Sequence, residues 1–128
     1  MADILNTSGT IKLTDLKDSW ERNLEAGKTY HYKVENTDNH GRFNLLIESE
    51  YLNYGEIPIA DNWNTLVKRN VEPDDTDTGS FIAPRSVYGL NTNDPEDQEA
   101  IDKNSFIRVS VKWITTIYDA NYRIRIFE

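Results

Sequence analysis

The sequence predicts an all-β domain, an antiparallel two-sheet β-sandwich of jelly-roll type. Apolar and polar residues alternate in several segments of the chain, which is the period expected of a half-buried strand. Clusters of turn-forming residues separate these segments, so that seven or eight short strands fit within the 128 residues. Each such strand must bury one of its sides, and two sheets packed face to face satisfy that requirement.

The N-terminal part of the chain predicts two strands. Residues 10–13 form the first candidate. Leu16, Trp20 and Leu24 are spaced by four, which suits a short helix that ends before Gly27 but equally suits one side of a strand. We favour the strand, because Trp20 and Leu24 lead directly into a glycine turn and another strand.

A first hairpin is predicted from residue 29 onward. Over residues 29–35, Tyr30, Tyr32 and Val34 fall on one side of the strand. Residues 36–41 are rich in Asn, Asp and Gly, which tolerate the left-handed backbone of turns. The strand that follows places Phe43, Leu45, Ile47 and Tyr51 on one side. We expect the two strands to pair and to share one buried face.

A second hairpin is predicted at the C-terminus. Ile107, Val109, Val111 and Trp113 share one side, residues 119–121 form a turn, and Tyr122, Ile124 and Ile126 share one side of the last strand. Weaker strand signals lie between the hairpins, at residues 65–71, 80–83 and 86–90. The predicted core contains the inward residues of both hairpins: Tyr30, Tyr32, Val34, Phe43, Leu45, Ile47, Ile107, Val109, Val111, Trp113, Tyr122, Ile124 and Ile126. No repeat or linker interrupts the pattern, so residues 1–128 are predicted to form a single domain.

Composition and charge exclude several classes of function. The net charge is −8, and residues 72–102 hold nine acidic side chains against one basic side chain, so this segment carries the whole excess. Such a segment repels phosphate backbones and anionic lipid, which argues against nucleic-acid binding. Uninterrupted apolar runs reach only three residues, so we expect no membrane insertion by the monomer. Cysteine is absent, which excludes disulfides. The N-terminus lacks the features of a secretion signal, so we expect a cytoplasmic protein, export by a non-classical route, or an excised domain.

Two segments resemble known families of jelly-roll proteins. The run from Trp20 to Val34 has an aromatic residue, a leucine, alanine-glycine and an alternating strand, and it resembles the opening of bacterial pre-peptidase C-terminal modules. The run from Val34 to Ile47 is similar to a strand–turn–strand unit in the small subunit of Pir-type binary insecticidal toxins. The acidic segment 72–102 aligns with neither family. These resemblances imply a jelly roll that acts as a non-catalytic binding module, with no role for any particular residue.

The segment 51–64 has the composition of a carbohydrate site. Its candidate ligand-binding residues are Tyr51, Tyr54, Asp61, Asn62, Trp63 and Asn64. Aromatic faces stack on sugar rings while amides and carboxylates bond the hydroxyls. Alternatively, Tyr54 and Trp63 fold inward as a lid over the sandwich.

The acidic segment 72–102 contains a candidate calcium site. Asp75, Asp77 and Gly79 are spaced as in the first half of an oxygen-rich calcium loop. Asp74, Asp94 and Asp97 complete the ligand set if the two acidic stretches meet in space. The alternative is a solvated acidic loop that binds no cation.

Catalysis and assembly are the remaining alternatives. Glu48 and Glu50 have the spacing of a glycosidase pair, but acids on an exposed strand face are far commoner. His31 and His40 match no triad or metal spacing. Phe106, Ile114 and Phe127 fall outside the predicted core, and could cover either a minor core or a contact in a homo-oligomer.

The sequence therefore predicts a non-catalytic module that recognises a carbohydrate-like ligand through segments 51–64 and 72–102, with calcium as a candidate aid. The alternative is a structural or toxin-complex subunit that acts through contacts with a protein partner.

Overall fold

A computed structural model describes residues 3–12, 17–49, 64–84, 104–113 and 118–128 of the chain. These residues form eight strands: β1 (Asp3–Ile11), β2 (Lys17–Glu25), β3 (Thr29–Asn36), β4 (Phe43–Ser49), β5 (Asn64–Val71), β6 (Thr76–Ile82), β7 (Asn104–Trp113) and β8 (Ala120–Phe127). Within the described ranges, no helix has the length and apolar character that crossing a lipid bilayer requires.

The strands form two antiparallel four-stranded sheets, in the orders β1-β8-β3-β6 and β2-β7-β4-β5. Most consecutive strands lie in opposite sheets, and β4 and β5 are the exception because they pair directly. This arrangement is the jelly-roll sandwich that the alternating pattern predicts. The fold class is therefore confirmed.

Both predicted hairpins are wrong. β3 pairs with β6 and β8, whereas β4 pairs with β5 and β7, so the chain crosses from one sheet to the other between them. In the same way, β7 and β8 lie in different sheets. Alternation shows which side of a strand is buried, but both sheets bury their inner sides, so it does not reveal which strands pair.

The crossover from β3 to β4 is held by side chains of its own. The Asn36 amide nitrogen donates to the Gly41 carbonyl oxygen at 2.8 Å, and its amide oxygen accepts from the backbone N–H of Asp38 at 3.0 Å. The Asp38 carboxylate accepts from the backbone N–H groups of Gly41 and His40, and these bonds lower the pKa of that carboxyl. The crossover also meets β8, because the backbone N–H of Thr37 donates to the Asn121 carbonyl.

The outer strands differ in extent from the sequence prediction. β2 is a strand, as favoured over the helix. β1 and β6 begin earlier than predicted, at Asp3 and Thr76. The start of β6 is rich in Thr, Asp and Gly, so its strand state comes from pairing with β3 rather than from its own propensity. The strand predicted at residues 86–90 lies outside the described residues.

The core lies between the two sheets. Every predicted core residue whose side chain is described is buried, and the side chain of Trp113 is outside the described set. The same cluster also contains buried residues outside the predicted set: Leu5, Ile11, Leu24, Val67, Val71, Phe81, Ala83 and Ala120. The Tyr122 ring contacts two other aromatic rings, with its centroid 6.1 Å from that of Phe43 and 5.7 Å from that of Trp20.

Tyr122 carries a partly buried polar link between the sheets. Its hydroxyl on β8 donates to the Asp18 carboxylate on β2 at 2.8 Å. Burial raises the pKa of the Tyr122 phenol, and the hydrogen bond to Asp18 raises this pKa further. By contrast, the buried Tyr32 hydroxyl has no hydrogen-bond partner among the described residues.

Tyr122→Phe is expected to lower the free energy of unfolding by about 2 kcal/mol, because Asp18 loses its donor. Tyr32→Phe is the matched control, and we expect it to be neutral or slightly stabilising, because it removes a hydroxyl without a described partner. Since the folded state raises the pKa of Tyr122, its contribution is present below the ordinary tyrosine pKa of about 10 and is lost as pH rises above it. Urea unfolding between pH 7 and 11 should show a shallower alkaline loss in Tyr122→Phe; an unchanged slope would contradict this account.

Candidate functional site

The outer face of the β1-β8-β3-β6 sheet carries the groups that we identify as the candidate site. Side chains alternate along each strand, so the residues between the buried positions of β3 and β8 point outward. The strand register places His31 opposite Phe127, Lys33 opposite Arg125 and Glu35 opposite Arg123. On the other side of β3, Ser80 and Thr78 of β6 continue these rows. We call this surface the groove face.

Two aromatic rings lie side by side on the groove face. The centroids of His31 and Phe127 lie 5.7 Å apart, with 31° between the ring planes. The Arg125 guanidinium carbon lies 4.7 Å from the Phe127 centroid, which is a cation–π contact. Asp3 on β1 holds the same guanidinium through an ion pair of 2.9 Å. The aromatic pair is therefore bordered by a fixed cation.

Two depressions run along the groove face. A shallow one of about 540 Å³ is lined by His31, Tyr32, Lys33, Thr78, Gly79, Ser80, Phe127 and Glu128. A smaller one of about 100 Å³ is lined by Lys33, Glu35, Arg123 and Arg125. Lys33 lines both, so the two depressions adjoin. One side of the combined groove is aromatic with hydroxyl groups, and the other side is charged.

The charged side offers hydrogen-bond donors and an acceptor. Lys33 forms an ion pair with Glu35 at 3.0 Å, and both side chains stay partly exposed. Arg123 lies across the strand pair from Glu35 and is exposed. Rings beside oriented polar groups can hold a ligand that has both an apolar face and hydroxyl or carboxyl groups.

Of the ligand-binding residues predicted from the sequence, the structure describes Asn64. It begins β5 and pairs with Ser49 of β4, and its side chain is half-buried. Tyr51, Tyr54, Asp61, Asn62 and Trp63 lie outside the described residues. The carbohydrate site of segment 51–64 therefore stays a prediction.

The predicted calcium ligands Asp74, Asp75 and Asp77 lie in the turn before β6 and at its start. Asp74 has a positive φ of 57°, and its backbone N–H donates to the Asp38 carbonyl. Asp75 accepts from the backbone N–H of Thr76, and Asp77 forms an ion pair of 3.4 Å with Arg69.

The remaining predicted calcium ligands, Asp94 and Asp97, lie outside the described residues. In the part of the chain that the structure describes, no three acidic or histidine side chains cluster as metal ligands. The complete set therefore stays a prediction.

The residues considered for catalysis have structural partners. Glu48 accepts from Arg108 at 3.0 Å, and this ion pair is largely buried on the outer face of the other sheet. Glu50 lies outside the described residues. His40 stacks on Tyr118, with centroids 4.9 Å apart, whereas His31 belongs to the groove face.

Sequence reasoning missed the groove face. Alternation alone places His31, Lys33, Arg123 and Arg125 on the sides opposite the buried residues of β3 and β8, which is where they lie. Phe127 gave the one available signal, because it is an aromatic residue at an outward position of an alternating strand. The pairing of β3 with β8 brings these side chains together, and the sequence did not predict that pairing.

Comparison with known proteins identifies the fold. No model of a known protein family matches the sequence, and no curated protein is significantly similar to it. The structure resembles that of a mitogen from Yersinia pseudotuberculosis, with a TM-score of 0.51 and 12% identity over 96% of this chain and 83% of that chain.

A carbohydrate-binding module of the β-sandwich superfamily is also similar, with a TM-score of 0.41 and 11% identity. That match covers 96% of this chain and 53% of the other, so the chain spans about half of that protein's length. The resemblance to pre-peptidase modules and Pir-type subunits stays a prediction. The similarity to the mitogen establishes that this chain has a jelly-roll-like β-sandwich fold.

Proposed function

We propose that this protein is a non-catalytic binding module that recognises a carbohydrate-like ligand on the groove face. The observation that carries the proposal is the His31 and Phe127 ring pair beside the hydroxyl groups of Thr78 and Ser80. A sugar has apolar C–H faces and a rim of hydroxyls, and this surface offers a counterpart to each.

The fold supports this assignment. The rings and cations project from the middle strands of a four-stranded sheet, so the backbone hydrogen bonds of both neighbouring strands hold them in place. A preformed surface loses little conformational entropy when a ligand binds. In addition, we propose that segments 51–64 and 72–102 extend the binding surface, with calcium assisting at the second segment.

A glycan array probed with labelled protein, with and without calcium, tests the proposed function. We expect selective binding by the native chain and at least a roughly tenfold loss of affinity in Phe127→Ala, because the ring supplies stacking area. Phe106→Ala is the matched control, since Phe106 is a half-buried phenylalanine on the opposite outer face. Equal glycan binding by the Phe127→Ala and Phe106→Ala variants would show that the ligand does not bind to the groove face.

A Trp63 variant and a calcium chelator test the proposed contributions of the two segments separately, through glycan binding and through protein stability. Trp63→Ala should lose ligand with little loss of stability if Trp63 binds, whereas a core tryptophan would cost about 3–5 kcal/mol. If calcium assists, a chelator should weaken glycan binding and lower the melting temperature. Identical thermal melting curves with calcium and with chelator would rule out the calcium site.

A second candidate function is assembly through protein contacts. Ile82 on the edge strand β6 is a large apolar residue that is 64% exposed. An edge strand with an exposed apolar side chain is suited to pairing with another chain. Sedimentation at tens of micromolar would show a homo-oligomer if this contact is used, and Ile82→Lys should then return the protein to a monomer.

A further inference from the structure

The outer face of the other sheet, β2-β7-β4-β5, presents two lysines side by side. The register places Lys17 of β2 directly opposite Lys112 of β7, and both residues project outward. Asn44 of β4 lies opposite Lys112 on its other side, and Asn70 of β5 follows. We call this row of four side chains the lysine row.

The two lysines repel each other. Like charges directly opposite in an antiparallel pair destabilise a sheet. Within the described chain, neither Lys17 nor Lys112 forms an ion pair with a carboxylate. The Glu48 carboxylate on this face is engaged by Arg108. The positive charge of the row is therefore not neutralised by the described residues.

The electrostatic environment of Lys17 agrees with this geometry. Partial burial lowers the pKa of its ammonium, and the charges of Arg108 and Lys112 lower that pKa further, while Glu48 acts in the opposite direction. Arg108 thus contributes a third cation to the field around Lys17. An anion at this position would relieve the repulsion among all three.

Hydroxyl and amide groups lie next to the lysines. Ser19 and Ser110, one row away, lie opposite each other and share a hydrogen bond of 3.1 Å between their hydroxyl oxygens. Ser110 is fully buried whereas Ser19 is exposed, so the Ser19 hydroxyl is the one that a ligand on this face can reach. The amide of Asn44 borders Lys112 on the other side. Ammonium, hydroxyl and amide groups are the usual donors to sulfate and phosphate oxygens.

From this juxtaposition we propose that the lysine row, together with the exposed hydroxyl of Ser19, binds a tetrahedral oxyanion, either a sulfate or a phosphate group. The site lies on the opposite side of the sandwich from the groove face, so it does not depend on the proposed carbohydrate function. A bound anion would attract the ammonium groups of both Lys17 and Lys112, and so offset the repulsion between them.

Titrations at fixed ionic strength, with sodium chloride making up the balance, test the site. Inorganic sulfate, inorganic phosphate and a sulfated disaccharide are the three probes, and they distinguish a free ion from a saccharide substituent. We expect at least one probe to give saturable shifts in the backbone amide NMR signals of Lys17, Ser19, Ser110 and Lys112, and a rise in melting temperature beyond that in chloride.

Lys17→Gln and Lys112→Gln should each lower the affinity for the tightest-binding probe about tenfold. In chloride alone, the same variants should melt about 1–3 °C higher than the native protein, because the repulsion is removed. Lys12→Gln is the matched control, an exposed lysine beyond the end of β1, and it should change neither quantity.

Three results would overturn the proposal. The first is no saturable shift with any of the three probes. The second is equal affinity in Lys17→Gln, Lys112→Gln and the native protein, which would indicate a general salt effect. The third is a lower melting temperature for both lysine variants in chloride, since the row would then be stabilising without an anion.

Discussion

Gly41→Ala is expected to lower the free energy of unfolding by about 3 kcal/mol or more. A methyl group on Gly41 would overlap the backbone carbonyl oxygen of Asp119, where the crossover from β3 to β4 passes the chain entering β8. Backbone atoms cannot rotate away as a side-chain tip can, so two segments of the sandwich would have to separate. Midpoints of urea unfolding measure this cost.

Gly27→Ala is the matched control for this prediction. Gly27 has a φ of +85°, but no atom lies within 4 Å of an added methyl group. Its cost is conformational only, and we expect about 1 kcal/mol. If the two variants were equally destabilised, close packing of the crossover against Asp119 would not be the reason that position 41 is glycine.

Asn36→Ala is expected to cost about 3 kcal/mol, the second largest effect. The buried Asn36 amide donates to the Gly41 and Val71 carbonyls and accepts from the backbone N–H of Asp38. Alanine satisfies none of these groups, and a buried polar group without a partner costs about 1–3 kcal/mol.

Asn23→Ala provides the comparison for Asn36→Ala, because Asn23 is an exposed asparagine on β2 and should change stability by less than about 0.5 kcal/mol. Calorimetric melting of both variants checks the difference. A small effect at Asn36 would mean that water replaces its amide, and the crossover would then depend on Gly41 alone.

Alternation predicted the core because burial is a local property of a strand. Tyr30, Tyr32 and Val34 face inward whichever strands lie beside them, since either sheet presents its inner side to the other. For the same reason, the pattern could not show that β3 and β4 belong to different sheets. That distinction depends on contacts between segments far apart in the chain, such as the Asn36 amide with the Val71 carbonyl and Gly41 with the backbone of Asp119.

The edge strands β1 and β6 were the least predictable elements, because both begin earlier than the sequence predicts. β6 begins with Thr76, Asp77 and Thr78, and its register against β3 places Gly79 opposite Tyr32. A side chain at position 79 would meet the Tyr32 ring, at 2.5 Å from its hydroxyl oxygen. The glycine that weakens the sequence signal of this strand is thus required by the ring packed over it.

The sequence by itself determined the fold class, most of the core and the outward orientation of His31, Lys33 and Phe127, because these follow from the two-residue period of a strand. Tertiary structure alone decided which outward side chains became neighbours. The pairing of β3 with β8 built the groove face, and the pairing of β2 with β7 set Lys17 against Lys112. Strand pairing depends on the packing of the whole sandwich, and no single segment of the chain contains that information.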